Sequence, residues 1–389
     1  MIAAIAVLAP LGAELLRRRV PAVVLELLAG IVVGQQVLGI AEVTPVIETL
    51  SEIGLCFLFF MAGYEIEFQR IRGQPPKLAV FGWFVSLAVA IVVAAVLVIE
   101  GFALSTLLIS LALTTTALGT LLPMLGDAGE TQTHFGNYVL AIGAAGEFLP
   151  IVAIALLLTS DAPLHTALLL VAFVLLAIAA VAVAIRPQPP RVLAVLQRNL
   201  HTSAQLPVRV AVLLIVLLVW VASELGLDVL LGAFVAGVVV KTANTTGDTE
   251  VIEQKLTAVG FGLLIPIFFV VSGMDFDLDA LTEKPSTLLR LLLFLGLFLV
   301  VRGLPVLALY RRALAGRDRI AAAVLAATGL PLVVAITTIG LDTDRMKPEN
   351  AAALVGAAML SVLLFPLIGL GVRKRARTDT AAEAVPETD

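Results

Sequence analysis

Long apolar runs separated by short polar stretches make up most of this chain. The runs approach or reach the roughly 20 residues that an α-helix needs to cross a bilayer, and they exceed the ~10 residues of a membrane β-strand. The pattern therefore predicts an all-α polytopic membrane protein with about 13 transmembrane helices. We place the spans near residues 2–16, 20–37, 49–67, 78–99, 103–125, 135–159, 163–185, 206–223, 227–241, 256–274, 286–310, 319–340 and 350–372.

The composition excludes a soluble protein of this length. Sixty per cent of the 389 residues are hydrophobic and 14% are charged, with a mean hydropathy of +1.08. Soluble domains are about 45–50% apolar and about 25% charged. We assign residues 1–372 to one transmembrane domain and residues 373–389 to a short polar cytoplasmic tail.

Basic residues are distributed unevenly between the two sides of the predicted helices. Twenty of the 25 fall on one side, four fall on the other, and one, Arg302, lies inside a span. Cytoplasmic loops of membrane proteins carry the excess of lysine and arginine. The distribution predicts an N-terminus outside and a C-terminus inside the cell, and we expect the membrane to be the bacterial cytoplasmic membrane.

Short motifs recur in the same order in the two halves of the chain. The motifs around Gly30, Gly63 and Gly143 resemble those around Gly237, Gly273 and Gly356, at offsets of 207, 210 and 213 residues. The first matching helices are seven spans apart, so the second copy enters the membrane from the opposite side. This predicts inverted repeats over about residues 20–159 and 227–372, which is typical of secondary transporters.

Two of the predicted spans contain helix-breaking residues at matching positions. The first holds Thr114, Thr115, Thr116 and Gly119, and the second holds Thr328, Gly329 and Pro331. A break frees backbone amides and carbonyls, which a membrane tolerates only beside protein or a wet cavity. We predict that both helices unwind near the membrane centre, where such transporters bind their substrates. The alternative is that glycine and proline only kink two packed helices.

Glu147 and Arg302 are the acid and the base predicted to lie deepest in the membrane. An ionisable group at that depth costs at least ~2.5–3.5 kcal/mol on insertion scales, so each needs a reason. A buried carboxyl group can hold a proton near neutral pH, and a monovalent cation stabilises its ionised form. The two ions then compete for one group, which is the chemistry of an antiporter. The alternative is a permanent ion pair that aligns helices.

Several stretches of the sequence together have the pattern of a known family. They are residues 26–34, 50–54, 59–65, 266–269 with Gly273, and 330–335. In these stretches the chain resembles the monovalent cation:proton antiporter-2 family, which includes bacterial sodium/hydrogen exchangers and potassium-efflux antiporters. The resemblance implies a sodium/proton antiporter fold, in which a core subdomain holds two crossed unwound helices and a separate subdomain forms a homodimer.

The resemblance also assigns roles to individual residues. It implies that Glu147 binds the transported ion, that Arg302 balances its charge, and that residues 114–119 and 328–331 are the unwound segments. Many relatives carry two adjacent acids, or Asn-Asp, where this chain has Gly146 and Glu147. With one carboxylate per site, we expect an electroneutral exchange of Na+ or K+ for a proton. Oxygen atoms of the 114–116 stretch would complete the cation shell.

Two other functions stay open from the sequence. One is a non-transporting scaffold or sensor with a permanent Glu147–Arg302 pair, and the other is an organic-anion symporter on a related fold. No constellation of catalytic residues lies at membrane depth, so we expect no enzyme. We also expect no cofactor and no nucleic-acid partner. No Gly-x-Gly-x-x-Gly fingerprint follows a predicted strand, so we expect no fused nucleotide-binding domain either.

Overall fold

A computed structural model describes the protein over residues 1–15, 20–64, 74–100, 103–157, 205–227, 229–243, 249–282 and 285–383, with scattered residues between 169 and 182. Within these ranges the regular structure is helical, and no β-strand occurs. The all-α prediction is therefore confirmed.

The described helices follow the apolar runs of the sequence. In the first half of the chain they are α1 (Ile2–Leu15), α2 (Ala22–Val33), α3 (Pro45–Tyr64), α4 (Gln74–Ile99), α5 (Thr106–Leu113), α6 (Leu118–Asp127) and α7 (His134–Leu157). In the second half they are α8 (Leu206–Glu224), α9 (Val229–Ala243), α10 (Thr249–Val259), α11 (Ile265–Met274), α12 (Leu278–Thr282), α13 (Pro285–Phe298), α14 (Leu304–Leu309), α15 (Gly316–Ala326), α16 (Pro331–Asp342) and α17 (Pro348–Glu383).

The helices are long and apolar enough for a multi-pass membrane protein. Among the described residues, seven helical spans reach the length and hydropathy of a membrane crossing, and four more apolar helices are shorter. The membrane prediction is therefore confirmed. The number of 13 spans stays a prediction, because most of the predicted span 163–185 lies outside the described residues.

Two single π-helical turns lie just before proline residues. One spans Gly260–Leu264, before Pro266, and the other spans Leu299–Gly303, before Pro305. Proline has no N–H to give to the carbonyl four residues earlier, and its ring crowds that carbonyl, so the helix widens by one residue there. Arg302 lies in the second of these turns.

Four glycines of the predicted repeats lie at two close helix contacts. Gly30 of α2 faces Gly273 of α11, and Gly63 of α3 faces the part of α9 that holds Gly237. A Cβ atom on any of the four would overlap a backbone carbonyl oxygen of the facing helix. In the predicted repeat, Gly30 corresponds to Gly237 and Gly63 corresponds to Gly273. The contact of α2 with α11 is therefore equivalent to the contact of α9 with α3. The carbonyls concerned are those of Val270, Leu27, Phe234 and Phe60. This reciprocity supports the inverted-repeat prediction.

The two broken spans are surrounded by other helices. The first, made of α5 and α6, packs against α4, α7 and α16. The second, made of α15 and α16, packs against α7, α17 and the π turn that holds Arg302. Thr115 and Thr328, one in each break, are completely buried. The fold thus brings both breaks into the protein interior, away from lipid, as broken backbone requires.

The last helix extends beyond the boundary that the sequence predicted. α17 continues to Glu383, through the first part of the predicted tail 373–389. Basic residues and alanine favour helix, so nothing ends the helix at residue 372. Arg373 also holds this end on the protein through ion pairs to Glu130 and Asp318. The tail's final residues, 384–389, lie outside the described residues.

Candidate ion-binding site

The first break separates α5 from α6. α5 ends at Leu113 and α6 begins at Leu118, so residues 114–117 are not helical. The hydroxyl groups of Thr114 and Thr115 donate to carbonyl oxygens three residues earlier, both at 2.9 Å, and such local bonds compete with helix formation. Gly119, which we predicted to be unwound, lies in the first turn of α6 instead, because the helix restarts one residue before it.

The second break separates α15 from α16. α15 ends at Ala326 and α16 begins at Pro331, so Thr328 and Gly329 lie in the break as predicted. Pro331 was predicted to be unwound but is the first residue of α16. Proline suits this position, because the missing N–H would have no helical acceptor and the fixed φ angle fits the helix.

The two breaks are joined by direct hydrogen bonds. The amide of Ala117 donates to the carbonyl oxygen of Thr328 at 2.7 Å. The hydroxyl of Thr116 donates to the carbonyl oxygen of Ala326 at 2.6 Å. Each break therefore satisfies backbone groups that the other break leaves without a helical partner.

α7 provides the surface on which the first break lies. Pro150 has no N–H, so the carbonyl oxygen of Gly146, four residues earlier, loses its usual helical donor. The amide of Thr116 donates to that carbonyl at 2.9 Å. Glycine at position 143 allows the approach, since a Cβ there would lie 2.8 Å from the Leu118 side chain.

Glu147 reaches the N-terminus of α6. The amide of Leu118 donates to Oε2 of Glu147 at 3.2 Å. A helix N-terminus carries partial positive charge, which stabilises a carboxylate. The half-buried Glu147 lines a narrow pocket. The other lining residues are Thr115, Thr116, Ala117, Leu330, Pro331 and Leu332, so the acid and both breaks meet at one pocket.

Arg302 is buried and points toward the first break. Its Nε and Nη2 atoms donate to the hydroxyl oxygen of Thr116 at 3.0 and 2.8 Å. Its other contacts are with the carbonyl oxygens of Ile142 and Ala326, at 3.2 and 3.4 Å, and the hydroxyl of Ser86, at 3.5 Å. Every one of these acceptors is neutral.

The hydroxyl of Thr116 is fully occupied by these contacts. Its single proton goes to Ala326, and its two lone pairs accept from Arg302. Thr116 therefore holds Arg302 and has no lone pair left for a cation. Thr115 lines the pocket and uses its hydroxyl only as a donor, to Ala112. Thr114, the third predicted ligand, is buried but is not among the residues that line the pocket.

The sequence did not indicate two of the contacts at this site. Ser361 of α17 bonds to Gly329 in the second break, and Ser86 of α4 contacts Arg302. Nothing in the sequence separates these serines from others in apolar helices. The link between α7 and the first break could have been predicted from the sequence. Pro150 lies four residues after Gly146 and has no N–H, so the Gly146 carbonyl lacks its helical donor.

Comparison with known proteins places the chain in a family. Residues 2–369 match the family described as sodium/hydrogen exchanger, transmembrane. This chain belongs to that sodium/hydrogen exchanger family. The resemblance found in the sequence is confirmed.

Two relatives of this exchanger-family protein are similar along most of the chain. The putative Na+/H+ antiporter YjbQ of Bacillus subtilis is 26% identical over 388 residues, which cover 95% of this chain and 62% of the relative. The Na+/H+ antiporter of Enterococcus hirae is 24% identical over 384 residues, which cover 92% of this chain and 93% of the relative. The chain thus spans less than two thirds of the first relative and nearly all of the second.

The fold of this exchanger-family protein also matches a solved structure. The sodium proton antiporter MjNhaP1 from Methanocaldococcus jannaschii superposes with a TM-score of 0.65, over 97% of this chain and 96% of that chain. The two sequences are 18% identical, so the match shows the fold. The predicted sodium/proton antiporter fold is confirmed.

Proposed function

We propose that this protein is a secondary active antiporter, which exchanges a monovalent cation, Na+ or K+, for a proton by alternating access. The observation that carries the proposal is the meeting of Glu147 with both helix breaks at one pocket. Broken helices bring a carboxylate together with backbone oxygens that lie outside the regular helical hydrogen-bond pattern, and this combination suits a small cation. The names of the two relatives, both Na+/H+ antiporters, agree with this function.

Glu147 is proposed to bind the proton and the cation in turn. Its carboxylate is the acidic group of the pocket, and binding of either ion to it excludes the other. The hydroxyl of Thr115 and backbone oxygens of the first break complete the cation shell. Thr116 takes no part in that shell, because its oxygen is already committed to Arg302.

Arg302 is proposed to supply a fixed positive charge beside the site. Its bonds go to neutral oxygens, so its charge remains available to balance Glu147 when that carboxylate is ionised and empty. The hydrogen bonds of Arg302 to neutral oxygens hold it in place without help from Glu147, which disfavours a scaffold that depends on a permanent Glu147–Arg302 ion pair. An organic-anion symporter is also disfavoured, since the pocket is too narrow for an organic anion, whose sites typically have ~300–1,000 Å³.

Gly146 favours a one-to-one exchange that moves no net charge. A Cβ atom there would lie 2.5 Å from Nη2 of Arg302 and 2.5 Å from the hydroxyl oxygen of Thr116. A second acid beside Glu147 therefore has no room in this arrangement. With one carboxylate per site, one cation replaces one proton.

We also propose that the protein is a homodimer in the bacterial cytoplasmic membrane, on the basis of the family resemblance. The distribution of basic residues supports an N-terminus outside and a C-terminus inside the cell.

Transport by the purified protein in liposomes tests the function. With a pH-sensitive dye inside, addition of Na+, K+ or Li+ is expected to move protons in the wild type, at a rate that an imposed membrane potential leaves unchanged. Glu147→Gln is expected to abolish this flux. Glu52→Gln, in an exposed acid of α3, is the matched control and is expected to keep it.

Each part of the proposal has an outcome that contradicts it. Cation-evoked proton flux that survives Glu147→Gln would remove Glu147 as the carrier. Absence of flux with all three cations in the wild type would contradict antiport itself. A rate that follows the membrane potential would contradict electroneutral exchange.

A further inference from the structure

Ser361 is a completely buried polar residue in the middle of the apolar helix α17. A buried hydroxyl needs hydrogen-bond partners, because leaving it without one costs free energy. A serine in a helix usually finds a partner in its own helix, at the carbonyl three or four residues earlier. Ser361 makes that bond, to Ala358 at 2.7 Å, but its contacts do not end there.

The hydroxyl of Ser361 also engages both backbone groups of Gly329, 32 residues away in the second break. Its oxygen accepts from the Gly329 amide at 3.1 Å, and it lies 3.1 Å from the Gly329 carbonyl oxygen, to which it can donate. The single hydroxyl proton is shared between Gly329 and Ala358. The amide of Gly329 thus finds in Ser361 the acceptor that the broken helix no longer supplies.

Gly329 also lies close to the first break. A Cβ atom on Gly329 would lie 2.8 Å from the hydroxyl oxygen of Thr115. Thr115 lines the pocket beside Glu147, whereas no residue of α17 does. A contact chain therefore runs from Ser361 through Gly329 to Thr115 and the ion pocket.

We propose that Ser361 is a positioning residue for cation binding, an inference that rests on the proposed antiport function. By holding the Gly329 peptide, Ser361 fixes how closely the second break approaches Thr115, and so fixes the oxygen positions around the cation. Ser361 itself touches neither ion. Loss of its hydroxyl should therefore weaken cation binding more than it slows the transport cycle.

The test compares two serine-to-alanine variants in proteoliposomes, with Na+ as the cation, or K+ if only K+ evokes flux. Ser361→Ala is expected to raise the apparent KM for the cation about threefold to tenfold, the effect of losing one or two net hydrogen bonds, with the maximal rate within about twofold of wild type. Ser110→Ala is the matched control, because Ser110 is equally buried but bonds only to Thr106 of its own helix. Its KM is expected to equal that of the wild type.

A second variant keeps the test decisive if Ser361→Ala does not fold. Ser361→Cys has a similar size and a weaker hydrogen-bonding group, so its KM should lie between those of the wild type and Ser361→Ala. An unchanged KM in the folded variants, with a lower thermal midpoint alone, would overturn the inference in favour of a structural role. Failure of both variants to fold would do the same. A wild type without any exchange would instead contradict the proposed function, and the inference with it.

Discussion

The backbone amide of Ala117 donates to the carbonyl oxygen of Thr328 across 2.7 Å, and this bond joins the two helix breaks of the protein. The breaks are more than 200 residues apart in the sequence, yet each supplies the hydrogen-bond partner that the other lacks. The pocket beside Glu147 is lined by both breaks, so its shape depends on their contact. Substitutions that disturb either break should therefore affect ion binding.

Gly146→Ala is expected to lower the exchange rate at least about tenfold. The added Cβ would lie 2.5 Å from both Nη2 of Arg302 and the hydroxyl oxygen of Thr116, so the guanidinium or the first break must shift. Gly296→Ala is the control, because a Cβ on that exposed glycine of α13 meets nothing within 4 Å. A normal rate in Gly146→Ala would show that this close contact does not matter for transport.

Arg302→Lys is expected to lower the stability of the protein by about 1–3 kcal/mol even though the charge is kept. A lysine cannot reproduce the fork of N–H groups that bonds to Thr116, Ile142 and Ala326, and it leaves buried acceptors without donors. The thermal midpoint in detergent measures the effect. Arg375→Lys, at an exposed position of α17, is expected to change it little. Equal midpoints for the two variants would count against the proposed anchoring of Arg302.

Pro150→Ala is expected to reduce exchange, although alanine is the better helix former. The new amide at position 150 would donate to the carbonyl of Gly146, which the amide of Thr116 now uses at 2.9 Å. Pro10→Ala makes the same change in α1, which packs against α2 and α11, and should leave transport unchanged. If Pro150→Ala transported like the wild type, the freed carbonyl would have no role in holding the first break.

Glu130→Gln is expected to lower stability by about 1–3 kcal/mol. Only 3% of the Glu130 side chain is exposed, and it pairs with Arg373 at 3.1 Å. The variant therefore removes one of the two carboxylates that pair with this largely buried cation and leaves Asp318 alone. Glu253→Gln removes a pair of similar length, to Lys241, in which the acid is 50% exposed. The resulting loss of stability should stay below about 1 kcal/mol. Thermal midpoints in detergent check the ranking, and a reversed order would contradict the account.

The sequence predicted the parts of the site that depend on the rarity of polar groups in a membrane. Glu147 and Arg302 could be proposed from the sequence because acids and bases at that depth are costly. The threonines and glycines of the breaks could be found because helix breakers are few in apolar spans. These features depend on local chemistry, which a single sequence displays directly.

The parts that the sequence did not predict depend on contacts between distant segments. Ser361 has no local mark that tells it from other buried serines, and its bond to Gly329 exists only in the folded protein. The sequence placed the ends of the two breaks one or two residues too late, since Gly119 and Pro331 are already helical. The amide of Leu118, the first residue of α6, donates to the carboxylate of Glu147 in another helix. The two residues are too far apart in the sequence for a local pattern to show this bond.

The central claim is that a cation and a proton compete for Glu147, and proton release on cation binding tests it most directly. Purified protein in detergent with almost no buffer is mixed with Na+ or K+, and the pH of the solution is recorded, with choline as the control ion. The wild type is expected to release protons, up to about one per site, with Na+ or K+ and none with choline, whereas Glu147→Gln should release none. Equal proton release by Glu147→Gln would contradict the account.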